Sequence, residues 1–293
     1  MYDYLKTSAK LFPFLGLLSF FPSLTALMSL DMVKKYAPSV NDSIGFGRLL
    51  RRAKEVANSR FPPRDGEMHQ DMLGSFIRHG LTKDEAESET IVQILAGAET
   101  TATTIRMILF YLFTNPRVLS KLRRELDEAR PSSPITYAEA SRLPYLQAVI
   151  KEGLRICPPT TGIMLKEVPE EGISYQDRFI PGGTGIGLSV LAIFNDRGMW
   201  GEDAAVFRPE RFLHGTADEL QERENVVDAG FGHGKWKCLG RSIALVEISK
   251  AVTEMVRAFE LEIMRPDAPF KMYDAGLQIQ WDMWMRATLH GQN

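Results

Sequence analysis

The chain has 293 residues, 44% of them apolar and 25% charged, a globular composition long enough to bury a sizeable core, which excludes intrinsic disorder. With 35 basic against 37 acidic residues the formal charge is −2, which argues against a nucleic-acid partner held by bulk positive charge. The two cysteines, Cys157 and Cys238, exclude a disulfide scaffold and any multi-cysteine zinc or iron–sulfur site.

In chain order, the mixed polar stretch Met1 to Lys10 predicts no cleavable signal peptide. From Leu11 to Leu30 the chain carries no charge, a length sufficient to cross a bilayer, although Pro13 and Pro22 interrupt it. Two readings stand: a broken pair of short helices on a core or membrane surface, or a spanning helix. Membrane contact fits both. A charged amphipathic stretch, Arg48 to Arg60, precedes a Pro62-Pro63 loop. Thr82 and Glu85 then form a capping-box pattern. The next stop is Asn115-Pro116, which predicts one helix of about thirty residues, ~50 Å long. Its apolar middle, Ile91 to Ala98, is expected to be buried on most sides as the central beam of a helical domain.

Asn115 is the expected cap of the next helix, with Pro116 in its first turn and Val118, Leu119, Leu122 and Leu126 as its apolar stripe. Pro144 starts a further helix that Pro158 and Pro159 stop. Gly162 to Phe194 reads as short β-prone pieces between glycines. A long helix follows Cys238. Near the end Leu277, Ile279, Trp281, Met283 and Met285 alternate with Gln278, Gln280 and Asp282, which predicts a half-buried strand. The fold class is therefore mainly α with a small β-rich region.

Four segments carry candidate chemistry. Phe231-Gly232-His233-Gly234-Lys235-Trp236-Lys237-Cys238-Leu239-Gly240 is a glycine-rich loop leading into a cysteine at a helix start. It is neither a dinucleotide fingerprint, since position 237 is lysine, nor a Walker loop, since Ala229 stands where glycine is needed. Cys238 is either a small buried hydrophobe or a functional sulfur, because a helix start with lysines nearby stabilises a thiolate. Gly234 and Gly240 would let a large flat ligand approach the backbone. Glu99 and Thr100, beside Gly97 in the long helix, are either a small-residue helix contact or a carboxylate and hydroxyl that handle protons. Glu152 and Arg155 share a helical face. Phe207-Arg208-Pro209-Glu210-Arg211-Phe212 alone is a polar turn between aromatics.

In this order and at these separations, the four segments resemble the cytochrome P-450 heme-thiolate monooxygenases, from about residue 70 to the end. The resemblance implies the C-terminal portion of that fold: a partial lid and membrane-contact segment over 1–60, and a single heme-binding core over 61–293. It implies heme b as cofactor, its iron bound axially by Cys238, with Phe231, Gly232, Gly234, Gly240 and Lys166 also cofactor-binding. Glu99 and Thr100 would be catalytic, moving protons beside the heme. Glu152, Arg155 and Arg211 would form a buried structural cluster bracing the cysteine loop. The implied reaction inserts one atom of O2 into a small apolar organic substrate. No flavin or nicotinamide fingerprint is present, so electrons would come from a separate NADPH-dependent reductase. The implied location is the cytosolic face of the endoplasmic reticulum membrane. Asp71 to Leu81 and the tryptophan in the cysteine loop look like fungal enzymes of the pisatin demethylase type, which suggests secondary metabolism.

Two departures from the family pattern qualify these expectations. Trp236 stands where arginine or histidine usually meets a heme propionate, leaving Lys166 and either Lys235 or Lys237 for that role. Family chains are also longer, and the tryptophan-bearing N-terminal helix that grips a propionate has no counterpart, since the first tryptophan is Trp200. The sequence is thus expected to be a truncated product. Two other readings follow: an inactive relic that fails to keep heme, or a non-enzymatic membrane-associated protein whose function survives Cys238→Ala.

Overall fold

A computed structural model describes residues 39–42, 45–61 and 69–291. The uncharged run Leu11–Leu30 and the Pro62-Pro63 loop lie outside these residues. The chain divides into two compact units, one of Met1–Thr100, Phe270–Tyr273 and Ile279–Asp282, the other of Thr101–Pro269, Asp274–Gln278 and Met283–Asn293.

The first unit contains α1 (Gly45–Arg60), α2 (Met72–Arg78) and the start of α3 (Lys83–Thr114). Ala53 and Ala57 are the fully buried side chains of α1, small enough to let a charged helix sit close to its support. Asp71 caps α2 by accepting from the Gly74 N–H at 2.8 Å, and Arg60 pairs with the same carboxylate at 2.7 Å. The bond from Arg60, followed by that from the Gly74 backbone, holds the Asp71 carboxyl below its ordinary range. α3 opens on the expected capping box: Thr82 N–H donates to Glu85 Oε2 at 2.8 Å, and Glu85 N–H donates to Thr82 Oγ1 at 3.4 Å.

The helix itself runs 32 residues, but its apolar middle departs from expectation. Val92, Ala96, Gly97 and Ala98 are exposed, whereas Thr90 and Glu99 are buried. Hydropathy measures how well a stretch tolerates cover; it does not say which elements supply the cover.

The second unit packs α4 (Pro116–Ala129), α6 (Pro144–Ile156) and α10 (Arg241–Ala258) around a shared core, with the four-residue α5 (Tyr137–Ala140) against α10. The predicted stripe Val118, Leu119, Leu122 and Leu126 is buried there with Ile108, Leu146, Ile150, Ile248 and Val252. Burying an aliphatic side chain of this size contributes about 1.5–3 kcal/mol, so the stripe alone is a major part of the driving force. Asn115 occupies the cap position of α4 without capping it. Its side-chain N–H instead donates back to Tyr111 O at 2.7 Å, satisfying a carbonyl that the end of α3 leaves open.

The β-rich stretch is four short strands in two antiparallel pairs: β1 (Lys166–Glu167) with β4 (Gly185–Ile186), and β2 (Ile173–Tyr175) with β3 (Arg178–Ile180). Short helices α7 (Val190–Phe194), α8 (Arg197–Trp200) and α9 (Ala217–Ala229) follow, with a 3-10 turn over Pro209–Phe212. Beyond α10, β5 (Phe259–Ile263) pairs with β8 (Met285–Leu289) from Phe259↔Leu289 to Ile263↔Met285. β6 (Lys271–Asp274) pairs with β7 (Gln278–Trp281).

The single alternating strand expected over 277–285 is therefore two strands in different sheets. The chain turns at Asp282, whose φ is 58°, and that left-handed step ends the ladder. Gln278 and Gln280 are buried rather than facing water. Gln278 Oε1 accepts from Cys157 Sγ at 2.8 Å, which lets the amide sit inside without an unmet polar atom at that end. Among the described residues no helix is long and apolar enough to cross a membrane.

Candidate functional site

In the second unit, α6 presents Glu152 and Arg155 inward, and both are completely buried. The pair is bidentate: Arg155 Nε donates to Glu152 Oε2 and Nη2 to Oε1, each at 2.7 Å. Arg155 Nη1 donates to Phe194 O at 2.8 Å, and its guanidinium stacks 5.1 Å from the Trp200 ring centroid. Arg211, on the 3-10 turn, reaches the same carboxylate at 3.3 Å, and Arg208 N–H donates to it at 2.9 Å. Arg211 also bonds Asp203 Oδ1 at 2.8 Å and the carbonyls of Trp200 and Asp203. Two carboxylates thus face two guanidiniums, with the remaining donors met by backbone oxygens. That completeness makes a buried ionic group tolerable. The cluster ties α6, α7, α8 and the 3-10 turn together. Helical spacing alone says only that Glu152 and Arg155 share a face; their burial, which the family resemblance implied, comes from the tertiary contacts.

The cysteine loop leaves α9 and enters α10. Its mouth is closed by Cys238 N–H donating to Phe231 O at 2.7 Å. Gly232 is required for a spatial reason: its φ is +75°, and a Cβ there would meet Trp236 O at 2.9 Å. Gly234 also has positive φ, but its Cβ would enter open space, as would one on Gly240. Cys238 is exposed at the start of α10, whereas Cys157 is buried, and burial followed by the Asp274 charge pushes its thiol up to about 12. Cys238 is therefore the sulfur that a ligand can reach.

Several large apolar side chains of this loop and of the β1–β4 region are exposed. Trp236 is 61% exposed and Leu239 69%, and Ile243 on the first turn of α10 is exposed too. Ile163, Met164 and Leu165 are exposed just before β1, and Ile186 and Leu188 lie along and after β4. The β1–β4 pairing sets Lys166 opposite Ile186, and the Lys166 ammonium lies 4.8 Å from the Trp236 ring centroid. Lys235 lies 4.9 Å from the same centroid.

Two residues missed by sequence reasoning shape this loop. Arg241 Nε and Nη2 both donate to Asp228 Oδ1, at 3.1 and 2.5 Å, and the guanidinium lies 5.5 Å from the Phe231 centroid. A signal was available: a cation in the first turn of a helix opposes the dipole, so it needs a specific partner. Asp203 and Trp200, which complete the ionic cluster, had no such signal.

In the first unit, Glu99 is buried and Thr100 is half-buried, with Thr100 Oγ1 donating to Ala96 O at 2.6 Å. Such a back-bond competes with the helix's own ladder rather than reinforcing it, and a Cβ on the neighbouring Gly97 would meet open space.

The residues present fit heme. Iron carried within a planar four-nitrogen ring needs only the one protein thiolate on its face. The reachable Cys238, the open Cβ positions of Gly234 and Gly240 and the exposed apolar side chains suit a flat, largely apolar ring. Lys166 offers charge to carboxylates on it.

Comparison with known proteins agrees. Residues 7–280 match the family model described as Cytochrome P450. The chain is 39% identical over 266 residues to Cytochrome P450 monooxygenase aba1 of Botryotinia fuckeliana, covering 89% of this chain and 52% of that protein. It is 39% identical over 261 residues to Cytochrome P450 monooxygenase ABA1 of Pyricularia oryzae, covering 87% and 51%. Pisatin demethylase of Fusarium vanettenii is 38% identical over 192 residues, covering 65% and 36%. The chain spans about half the length of the first two relatives. With a family model matching most of its residues, over a largely helical fold that the four motifs led one to expect, the chain belongs to the cytochrome P450 family.

Proposed function

We propose that this chain forms the heme-thiolate part of a fungal monooxygenase that oxidises a small apolar organic molecule in secondary metabolism. The observation that carries the reading is the exposed Cys238 at the start of α10, on a closed glycine loop within an apolar surface. When bound, heme supplies dioxygen activation, with one oxygen atom entering the substrate and the other leaving as water, using two electrons from an NADPH-dependent reductase. Cys238 would hold the iron as its thiolate ligand, an electron-rich sulfur of the kind that suits dioxygen chemistry. Phe231, Gly232, Gly234 and Gly240 would shape the loop to the ring, and Lys166 would offer its charge to the ring's carboxylates. Glu152, Arg155 and Arg211 touch no reacting atom; they hold the loop's foundation. Thr100 and Glu99 hold and relay the protons the reaction consumes. Because the Thr100 hydroxyl donates to Ala96 O, it meets any further group as an acceptor.

The relative named pisatin demethylase makes apolar molecules that carry a methyl group on a heteroatom the first substrates to try, since hydroxylation of such a methyl group releases it as formaldehyde. The Leu11–Leu30 run supports membrane contact at the cytosolic face of the endoplasmic reticulum. The test is turnover under isotopically labelled dioxygen, with reductase, NADPH and a panel of apolar molecules that carry such a methyl group. One labelled oxygen in a stable hydroxylated product is expected, with formaldehyde, whose own oxygen exchanges with water, read only as an amount released in step with NADPH consumed. A hydroxylated product carrying only solvent oxygen, or no product from a heme-loaded chain, contradicts the reading.

A further inference from the structure

We infer that Trp236 is a positioning residue that gathers Lys166 and Lys235 into a two-cation clamp for the carboxylates of the bound ring. The inference rests on the heme reading above but adds to it. The position two before the cysteine carries no charge, yet the structure places two charges upon it. Lys166 Nζ lies 4.8 Å and Lys235 Nζ 4.9 Å from the Trp236 ring centroid, so the ammonium nitrogens stand within about 10 Å of one another. One lysine comes from β1 and the other from the loop itself, so the indole links two segments 69 positions apart in sequence.

Tryptophan is the aromatic side chain best suited to this role, because its face attracts cations most strongly. Two ammoniums held near one ring repel each other, and a dianionic ligand relieves that repulsion. The surroundings specify the ligand further. Leu165 adjoins Lys166 in the chain, and Leu239 and Ile243 follow Trp236, all three exposed. The Cβ position of Gly234, between Lys235 and His233, opens on space. An apolar surface bearing two cations fits a flat apolar molecule that carries carboxylates, which describes heme and not a neutral substrate. The clamp would thus replace a single bidentate arginine by two point charges and an aromatic hub, a different solution because lysine lacks the planar fork.

The test separates charge recognition from mere packing. The full chain is loaded either with heme or with heme dimethyl ester, whose carboxylates are neutral, and release to an excess of apomyoglobin is timed by absorbance. Lys166→Met and Lys235→Met should each speed heme release about threefold to fivefold, and Trp236→Leu about tenfold, in keeping with exposed charge pairs. Trp236→Phe, which retains an aromatic face, should restore release to within about threefold of the parent. All four variants should release the dimethyl ester within about twofold of the parent, and the parent's preference for heme over ester should shrink in high salt. If the variants speed release of both forms alike, Trp236 only packs and the clamp is overturned. If the parent binds both forms with a thiolate spectrum and no preference, the clamp alone fails. If the parent binds neither form, the heme reading fails and takes the clamp with it.

Discussion

Two regions of the second unit, joined through the short helices and α9, are built on opposite principles. Around Glu152 the side chains are sealed from water, and each charge meets another charge or a backbone oxygen. Around Cys238 the loop backbone is closed, but Trp236, Leu239 and Ile243 stand in solvent. The first region spends strong polar groups on making itself rigid; the second leaves apolar groups uncovered. A protein that needs a fixed platform for a large apolar ligand is expected to separate the two tasks in this way, because a surface finished by its own side chains has no room for a ligand. The two cysteines repeat the contrast: Cys157 is bonded and buried, and Cys238 is accessible.

The comparison is broken most severely from the buried side. Glu152→Ala leaves Arg155 and Arg211 without their shared carboxylate, and truncating one member of a buried pair costs about 3–5 kcal/mol. The variant should fail to give a cooperative urea transition, read by circular dichroism. Next in size is Gly153→Ala. A Cβ at that position would lie 2.3 Å from Ile108 Cγ1, so α3 and α6 must shift within the second unit, at about 1–3 kcal/mol. A normal urea midpoint for this variant would show the cluster's floor to be softer than described.

A smaller effect, visible in its pH dependence, comes from Glu210 beside the cluster. Burial works to raise its pKa, but hydrogen bonds from Lys121 and Arg117 outweigh it and hold the carboxyl at about 2. Since the unfolded value is near the ordinary one for glutamate, folding favours the ionised form. That stability is present above about pH 5 and is lost as pH falls toward 2. Glu210→Gln should therefore flatten the acid limb of a stability-against-pH curve. An unchanged acid limb would mean that the Arg117 and Lys121 contacts do not bias its ionisation. The smallest effect on stability belongs to the exposed side. Cys238→Ala should shift the unfolding free energy by no more than about 0.5 kcal/mol, as an exposed substitution does. A large loss would show the sulfur to be part of the packing.

The parts legible in the sequence are those governed by nearby residues. Pro116 and Pro144 mark helix starts, Thr82 and Glu85 form their box, and Val118, Leu119, Leu122 and Leu126 face one core because helical spacing puts them on one side. The cysteine loop is local as well, so its residues can be read in order. What the sequence does not disclose is partnership across distance. Arg155 bonds Phe194 O and stacks on Trp200, and Arg211 bonds Asp203; nothing in the spacing announces those pairings. Cover is equally hidden. Ala96, Gly97 and Ala98 resemble core, yet they are exposed, and the alternation over 277–285 resembles one strand, yet Asp282 divides it. In both cases local pattern records a tendency that the available neighbours then decide.

The central claim is that Cys238 binds heme iron as a thiolate. Its most direct test is the absorption spectrum of the heme-supplemented chain, reduced and exposed to carbon monoxide, beside that of Cys238→Ser. A strongly red-shifted Soret band in the parent, lost in the serine variant while the fold persists, is the predicted result. A heme band at the same unshifted position in both proteins would contradict it.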